Sequence, residues 1–403
     1  MTEEERMSEF KCRVCGGEAY KSLFQWRIPL AADIKEKPGT YEKYPIEPVL
    51  CSSCGHVQLK ETLELNMYDN YLYTPSFSKE FQEYVAYFAD GIENMPNLCG
   101  GGQKRVIEIG SSNGYLLKQM QNRGWDVLGF EPSLALADAA EKDGVHTERM
   151  YFGSEDSMNC IEEWGVPDAV IMRHVMEHLD ELNPVVSYIS SILDKGVFII
   201  EVPWLLKIIR EKQFYAFFHE HLSYFSVTVL QTLLQKHGLD IFDLKENTLE
   251  GGSIAVYARK GSGTPEEKEK VSEYLRQEEE WCSAEKVMEF AAESNAQICK
   301  LRRLIEEEKR KGKKTAAWGA GQRGVTLLNV CGFSCTHIEY IVEVKRKYWW
   351  KYVSDGGIQI VPPDWVEDHF VDSILILATG YADEILSENR DYVEKGGEFI
   401  KII

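Results

Sequence analysis

Val106-Ile-Glu108-Ile-Gly110-Ser-Ser112-Asn113-Gly114-Tyr115-Leu-Leu117, with Asp126-Val-Leu-Gly-Phe130-Glu131-Pro132 soon after it, is the stretch on which the fold turns. An apolar run breaks at a glycine-rich loop, a helical pattern follows over 115–121, and a second apolar run covers 126–130. Further on, 135–142 reads as helix, 168–172 and 197–202 as strands, and 184–193 as the helix between them. Residues 241–244 and 252–258 read as an antiparallel hairpin at the sheet's end. Strand and helix alternating in this way predict an α/β fold with a doubly wound parallel sheet. Glycines let the loop backbone approach a ligand, and the helix beyond offers unpaired amides. Glu131, ending the second strand, is placed to accept hydrogen bonds from ribose hydroxyls. The loop lacks the GxGxxG spacing that cradles a pyrophosphate, which weighs against a nicotinamide dinucleotide.

The alternation resumes near residue 313. Strand 315–318 leads into Gly319-Ala-Gly321-Gln-Arg323-Gly324, then a helix over 325–330 and strands near 340–344 and 374–378. With Glu343 beyond it, this spacing is a dinucleotide fingerprint. Two readings stand: a site for the nucleotide of a substrate, or a true NAD site. Arg323 inside the loop suits a diphosphate, and no hydride-transfer acid stands nearby. Lys345, Arg346, Lys347 and Trp349-Trp350 make a basic, aromatic segment that either stacks on a base or packs as a loop. The charged stretch 265–311 carries apolar residues at three- and four-residue steps, predicting one or two amphipathic helices.

At the other end, Cys12-x-x-Cys15 and Cys51-x-x-Cys54 are each followed by glycine (Gly16, Gly17 and Gly55). Two such pairs make the four-thiolate shell that zinc prefers, so these four cysteines are the predicted metal ligands. Reduced thiols in a small core, or a redox pair, are the alternatives. The long gap between the pairs is expected to hold strands of its own. The predicted organisation is a zinc-binding module at 1–66 and a core at 67–262, whose 67–97 form an aromatic and helical lead-in. A helical linker at 263–312 and a Rossmann-like domain at 313–403 complete it.

The chain has 403 residues, 44% hydrophobic and 27% charged, which fits a soluble protein of two or three domains. Its 45 basic and 65 acidic residues give a net charge of −20, which argues against broad binding to nucleic acid or anionic membranes. A local basic pocket for one phosphorylated ligand is still compatible with it. Met1-Thr-Glu-Glu-Glu-Arg6 resembles no signal peptide, and no apolar run approaches the roughly 18 residues of a membrane span. A cytoplasmic monomer or homodimer is expected.

Two histidine clusters follow strand ends. His174-x-x-Glu177-His178 matches an inverted zinc-protease motif letter by letter, yet it starts where a strand stops rather than within a helix. His178 also reads as a satisfied structural histidine. His219-Glu220-His221, within Phe217-Phe218-His219-Glu220-His221-Leu-Ser-Tyr224-Phe225-Ser226, suits proton transfer, because a carboxylate beside an imidazole fixes its tautomer and supports its pKa. A polar cluster that merely caps a helix is the alternative.

The glycine loop with Glu108 before it and Glu131 beyond it resembles the S-adenosylmethionine site of class I methyltransferases. The four cysteines, that loop, His219–Ser226, Glu250-Gly-Gly-Ser253 and Gly319–Asn329 occur in the order found in C-methyltransferases of nucleotide-linked deoxysugars. The similarity covers essentially the whole chain. It implies a class I methyltransferase core between a zinc-binding N-terminal domain and a Rossmann-like C-terminal domain that helps hold the nucleotide, with S-adenosylmethionine and Zn2+ as cofactors. It implies His221 as the base that forms an enolate beside a 4-keto group, Glu220 as its neighbour, and His178 close to the keto sugar. Glu108, Gly110, Ser112, Asn113, Gly114, Glu131, Arg173 and His174 would meet the cofactor. Phe77, His219, Tyr224, Gly319, Gly321, Arg323 and Asn329 would meet the nucleotide-linked sugar. Phe77 and Phe218 stand where the family usually has tyrosines, Ile254-Ala255 where an arginine is usual, and Arg173-His174 where paired asparagines are usual. An O- or N-methyltransferase on a related acceptor, or a fused NAD-binding protein, is the competing reading.

Overall fold

Among the described residues of the computed structural model (10–63, 79–95, 98, 102–248, 251–354 and 356–402), seven strands form the sheet carrying the first glycine loop. In chain order they are Arg105–Ile109, Asp126–Phe130, Thr147–Glu148, Ala169–Arg173, Val197–Pro203, Leu239–Asn247 and Ser253–Lys260. Across the sheet they run third, second, first, fourth, fifth, seventh, sixth. The first five are parallel, and the seventh is antiparallel to both of its neighbours. Strand order reverses beside the first strand, so the crevice at its carboxyl end is where an open α/β sheet receives a ligand.

Val106, Val127, Ala169, Ile171, Val197 and Ile199 gather with Leu116, Leu117 and Met120 of helix Tyr115–Gln121 and with Val85, Phe88 and Ile92 of helix Lys79–Glu93. Burying each large apolar side chain contributes roughly 1.5–3 kcal/mol, which fixes the face each helix presents. Helix Tyr115–Gln121 and strand Asp126–Phe130 fall where the sequence places them. Helix Leu182–Ile192 starts before Pro184, which sits in the first turn, where a missing N–H leaves no bond unmade. The closing hairpin is longer than the apolar pattern indicates. Lys245 is half-buried and Glu246 and Lys260 are exposed, which dilutes the signal.

This sheet belongs to one of two compact units, Met1–Glu18 with Leu63–Trp204 and Ser223–Glu279. Within it the carboxylate of Glu278, 2% exposed, accepts hydrogen bonds from Val227 N (2.6 Å), Thr228 N (2.8 Å), Thr228 Oγ1 (2.8 Å) and Trp204 Nε1 (2.7 Å). Glu278 lies on helix Pro265–Trp281 and caps helix Val227–Lys236, together with the latter's own N-cap Ser226. A carboxylate there also meets the positive end of the helix dipole.

The other unit comprises Ala19–Thr62, Leu205–Leu222 and Glu280–Ile403. Its largest sheet has the strands Thr315–Trp318, Ile341–Val342, Tyr352–Val353, Ile358–Val361, Ser373–Ile376 and Glu398–Ile400. Their order is third, fourth, second, first, fifth, sixth, parallel except where Tyr352–Val353 meets Ile358–Val361. Here too order reverses beside the strand that enters the glycine loop. The following helix, Gln322–Cys331, starts directly after Gly321, earlier than the apolar pattern shows, because Gln322, Arg323 and Gly324 fill its first turn. The segment between the cysteine pairs holds strands, as expected. Trp26–Ile28 pairs with Tyr44–Ile46, and Pro48–Cys51 pairs with both Tyr20–Ser22 and Val57–Leu59. The long helix Ala284–Arg310 completes this unit.

Candidate active site

In the first unit, the strand Arg105–Ile109 delivers Glu108, 5% exposed, to the switch point. Its Oε2 has no hydrogen-bond partner among the described residues. Burial pushes its carboxyl up to about 8; Arg173 opposes this, while Glu131 and Glu201 add to it. The loop then turns through Gly110 (φ 67°) and Ser112 (φ 52°), a left-handed conformation that a serine adopts only when its surroundings enforce it. A Cβ on Gly110 would lie 2.4 Å from Cγ2 of Val175, so glycine is required there. Glu131 enforces the turn: its Oε2 accepts from Ser112 N (2.8 Å) and its Oε1 from Ser133 N (2.9 Å). Burial raises its pKa, and these two amides hold it back. Each oxygen keeps a second lone pair for a ligand. Asn113 and Gly114 complete the loop, and Ser111 and Ser112 have buried hydroxyl oxygens without partners. An orphaned buried carboxylate oxygen beside a glycine cradle fits a ligand that brings a cation and hydroxyls, as S-adenosylmethionine does.

Arg173 ends the fourth strand, and His174 follows it. The Arg173 guanidinium pairs through Nε with Glu201 Oε2 at 2.6 Å, and the two residues are cross-strand partners. Tyr84 Oη (2.6 Å) and Asn247 Nδ2 (2.9 Å) donate to Glu201 Oε1. Burial alone would raise Glu201, but Arg173, His174 and Tyr84 hold it down to about 2. Arg173 stays protonated although burial disfavours the cation, because Glu201, Tyr84 and Glu108 surround it. His174 has φ 52°, donates its amide to Glu201 O (2.8 Å), and sets Nδ1 3.4 Å from Glu177 Oε1. His178 ends the 3-10 turn Met176–His178, so the two histidines do not share an α-helix and the zinc-protease geometry is not met. Tyr224, expected at the substrate, is 1% exposed in this unit.

In the second unit, His219 and Glu220 are buried and His221 partly so. His219 Nε2 lies 3.4 Å from Tyr44 O, and burial lowers its pKa. Burial raises Glu220, opposed by its own backbone, by Gln322 and by Ala32. Gln322 Nε2 donates to Glu220 Oε1 at 3.2 Å, which joins the triplet to the second glycine loop. The ring of Phe218 sits 4.1 Å from that of His221. In the loop, Gly319 (φ 103°) donates to Val342 O, and Glu343 accepts from Ala320 N (2.9 Å, Oε2) and Lys345 N (2.9 Å, Oε1). Arg323 Nη1 donates to Gln213 Oε1 (2.9 Å), and Asn329 Oδ1 accepts from Ser354 Oγ (2.7 Å). Gly321 caps the helix from an extended conformation. Phe77 lies outside the described residues.

Each cysteine pair forms a tight turn. In the first unit, Gly16 N donates to Cys12 O (2.8 Å) and Gly17 N points at Cys15 Sγ (3.3 Å). In the second, Gly55 N donates to Cys51 O (3.0 Å) and Cys51 N to His56 O (2.8 Å). Gly16 and Gly55 share φ near 75°, at 76° and 75°. An amide aimed at a sulfur stabilises a thiolate, so the first turn fits zinc ligation, and the second shares its backbone form.

Sequence reasoning missed Glu201, Tyr84, Asn247 and Gln322. A signal existed for Glu201: it is a lone acid in the apolar strand Val197–Pro203.

A family model described as "Methyltransferase domain" matches residues 79–244, and one described as "C-methyltransferase C-terminal domain" matches 248–403. The chain is 29% identical over 398 residues to the C-methyltransferase NovU of Streptomyces niveus, covering 97% of this chain and 94% of that one. Among solved structures, magnesium protoporphyrin IX methyltransferase of Synechocystis PCC 6803 with bound SAH overlaps with a TM-score of 0.37 at 17% identity, covering 45% of this chain and 84% of that one. Among the described residues no helix is long and apolar enough to cross a membrane.

Proposed function

We propose that the chain, similar along its length to a C-methyltransferase and matched by methyltransferase family models in both halves, methylates a carbon of a nucleotide-linked 4-keto deoxysugar through an enolate that its own base generates. One observation carries this reading. The chain has two switch-point loops of opposite chemistry, one backed by the orphaned carboxylate of Glu108 and the other carrying Arg323. The first suits a cationic cofactor and the second a diphosphate.

S-adenosylmethionine supplies an electrophilic methyl group. Glu108 meets its positive charge, the Gly110–Gly114 loop admits it closely, and Glu131 takes its ribose hydroxyls. Gly319, Gly321 and Arg323 receive the diphosphate of the substrate. Carbon is a poor nucleophile until it becomes an enolate, so the reaction needs a base and a partner for the developing oxyanion. In this reading His221 Nε2 or Nδ1 takes the proton from the carbon beside the keto group. His178 donates to the oxyanion, the carbon takes the methyl group, and S-adenosylhomocysteine leaves. Glu220 keeps His221 basic by its negative charge. The four cysteines hold one structural zinc ion.

Purified protein is given methyl-labelled S-adenosylmethionine and a panel of nucleotide-linked 4-keto deoxysugars, and product NMR locates the label. Label on carbon supports the reading; label on oxygen or nitrogen overturns the enolate route. His221→Asn is expected to bind S-adenosylmethionine normally and to lose at least about a hundredfold in kcat, in line with loss of a general base. Metal analysis is expected to find one zinc per chain, lost in Cys15→Ser.

A further inference from the structure

We propose that Gln322 is a positioning residue: its side-chain amide holds the carboxylate of Glu220 and transmits occupancy of the second glycine loop to the histidine triplet. The inference rests on the function proposed above for the role of the triplet, whereas the contact stands on its own. Gln322 is the first residue of the helix Gln322–Cys331, directly after Gly321, where loop amides face an incoming anion. Its backbone therefore belongs to the anion-binding turn. Its side chain leaves that turn, and Nε2 reaches Glu220 Oε1 at 3.2 Å.

Glu220 needs such a partner. It is 2% exposed, and burial favours its neutral form. A donor on its oxygen favours the anion and limits its orientation. Its own backbone and that at Ala32 also favour the anion, and His219 and His221 are its neighbours in sequence. The adjacent residue Arg323 points instead to Gln213. The first turn of this helix thus divides its work: Arg323 is oriented by Gln213, and Gln322 by Glu220. A diphosphate drawing on the amides at the helix start would shift Gln322, and with it the carboxylate beside His221. Neither glutamine nor glutamate alone accounts for this; the 3.2 Å contact across 102 residues of sequence does.

The test uses the full-length protein with Gln322→Leu, which removes the donor, and Gln322→Asn, which keeps a shorter one. The Glu220 carboxyl band is followed by infrared pH titration and identified by subtracting Glu220→Gln. In Gln322→Leu this band is expected to titrate at higher pH than in wild type. Uridine or thymidine diphosphate is expected to move it in wild type and not in Gln322→Leu. With the keto-sugar substrate, kcat is expected to fall about tenfold with KM within twofold, and Gln322→Asn to recover part of the loss. A band that does not move in Gln322→Leu overturns the proposal, as does a band that responds equally to nucleotide in both proteins. A loss confined to KM also overturns it. A wild-type protein that methylates no keto sugar sinks the substrate reading instead, while the band still decides for or against Gln322.

Discussion

In the first sheet Glu131 accepts the amides of Ser112 and Ser133; in the second, Glu343 accepts those of Ala320 and Lys345. Both acids end the strand that follows the loop-bearing strand in the chain, and both clamp the loop with one oxygen and their own turn with the other. Both strand orders reverse at the loop. The backbone device is therefore the same, and the difference lies two residues before the first glycine. Glu108 stands there in one unit and Ala317 in the other. The second unit places Arg323 in its helix start instead. In the function proposed above, the shared loop geometry sets where a ligand sits, and a single neighbouring charge sets which ligand it is.

The glycines offer the strongest way to break this comparison. Gly110→Ala places a Cβ 2.4 Å from Val175 Cγ2 at φ 67°. It is expected to weaken S-adenosylmethionine binding by about a hundredfold or more, by calorimetry, as a strained ligand loop does. Gly319→Ala meets Ala378 Cβ at 2.7 Å and Ala378 N at 3.0 Å. It is expected to abolish nucleoside diphosphate binding and leave S-adenosylmethionine binding within twofold. Crossed effects would refute separate loops with separate ligands.

Charge at Glu108 gives the next largest effect. Its carboxyl, raised by burial to about 8, keeps a proton in the native chain that the unfolded chain releases at lower pH. The unliganded protein therefore loses stability as pH rises from the ordinary carboxylate range toward 8. Affinity for a cationic cofactor runs the other way, rising by up to about tenfold per pH unit until about 8, with up to one proton released on binding. Calorimetry in buffers of different ionisation enthalpy measures that proton, and Glu108→Gln is expected to remove it. A wild-type affinity independent of pH would show that Glu108 is not the cation's partner.

The clamps give the smallest effect. Glu131→Gln is expected to weaken S-adenosylmethionine about tenfold, and Glu343→Gln to weaken a nucleoside diphosphate by a similar factor, each without effect on the other ligand. Equal losses for both ligands in either variant would mean that the clamp serves stability rather than its own loop.

The sequence made the local parts of this plan readable. Strand 126–130 and helix 115–121 are legible because short apolar runs and glycine punctuation are local signals. So are the cysteine turns and the spacing from each loop to its acid. Glu201 with Tyr84 and Asn247 is a different case, since three elements far apart in sequence converge on one carboxylate. The same holds for Gln322 and Glu220. A residue's type tells that it seeks a partner, and only the tertiary fold tells which one. Arg173 shows the difference: the sequence gives its charge, and only the fold gives Glu201 as the partner of its Nε.

Glu278 has a practical consequence for anyone cutting this chain. Four donors from Trp204, Val227 and Thr228 converge on its carboxylate. A fragment ending at residue 262 would retain every strand of the seven-stranded sheet yet strip those donors of their acceptor, at about 1–3 kcal/mol for each one left buried and unmet. What the seven-stranded sheet needs for its own helix caps thus extends past its last strand, to a glutamate on the helix Pro265–Trp281.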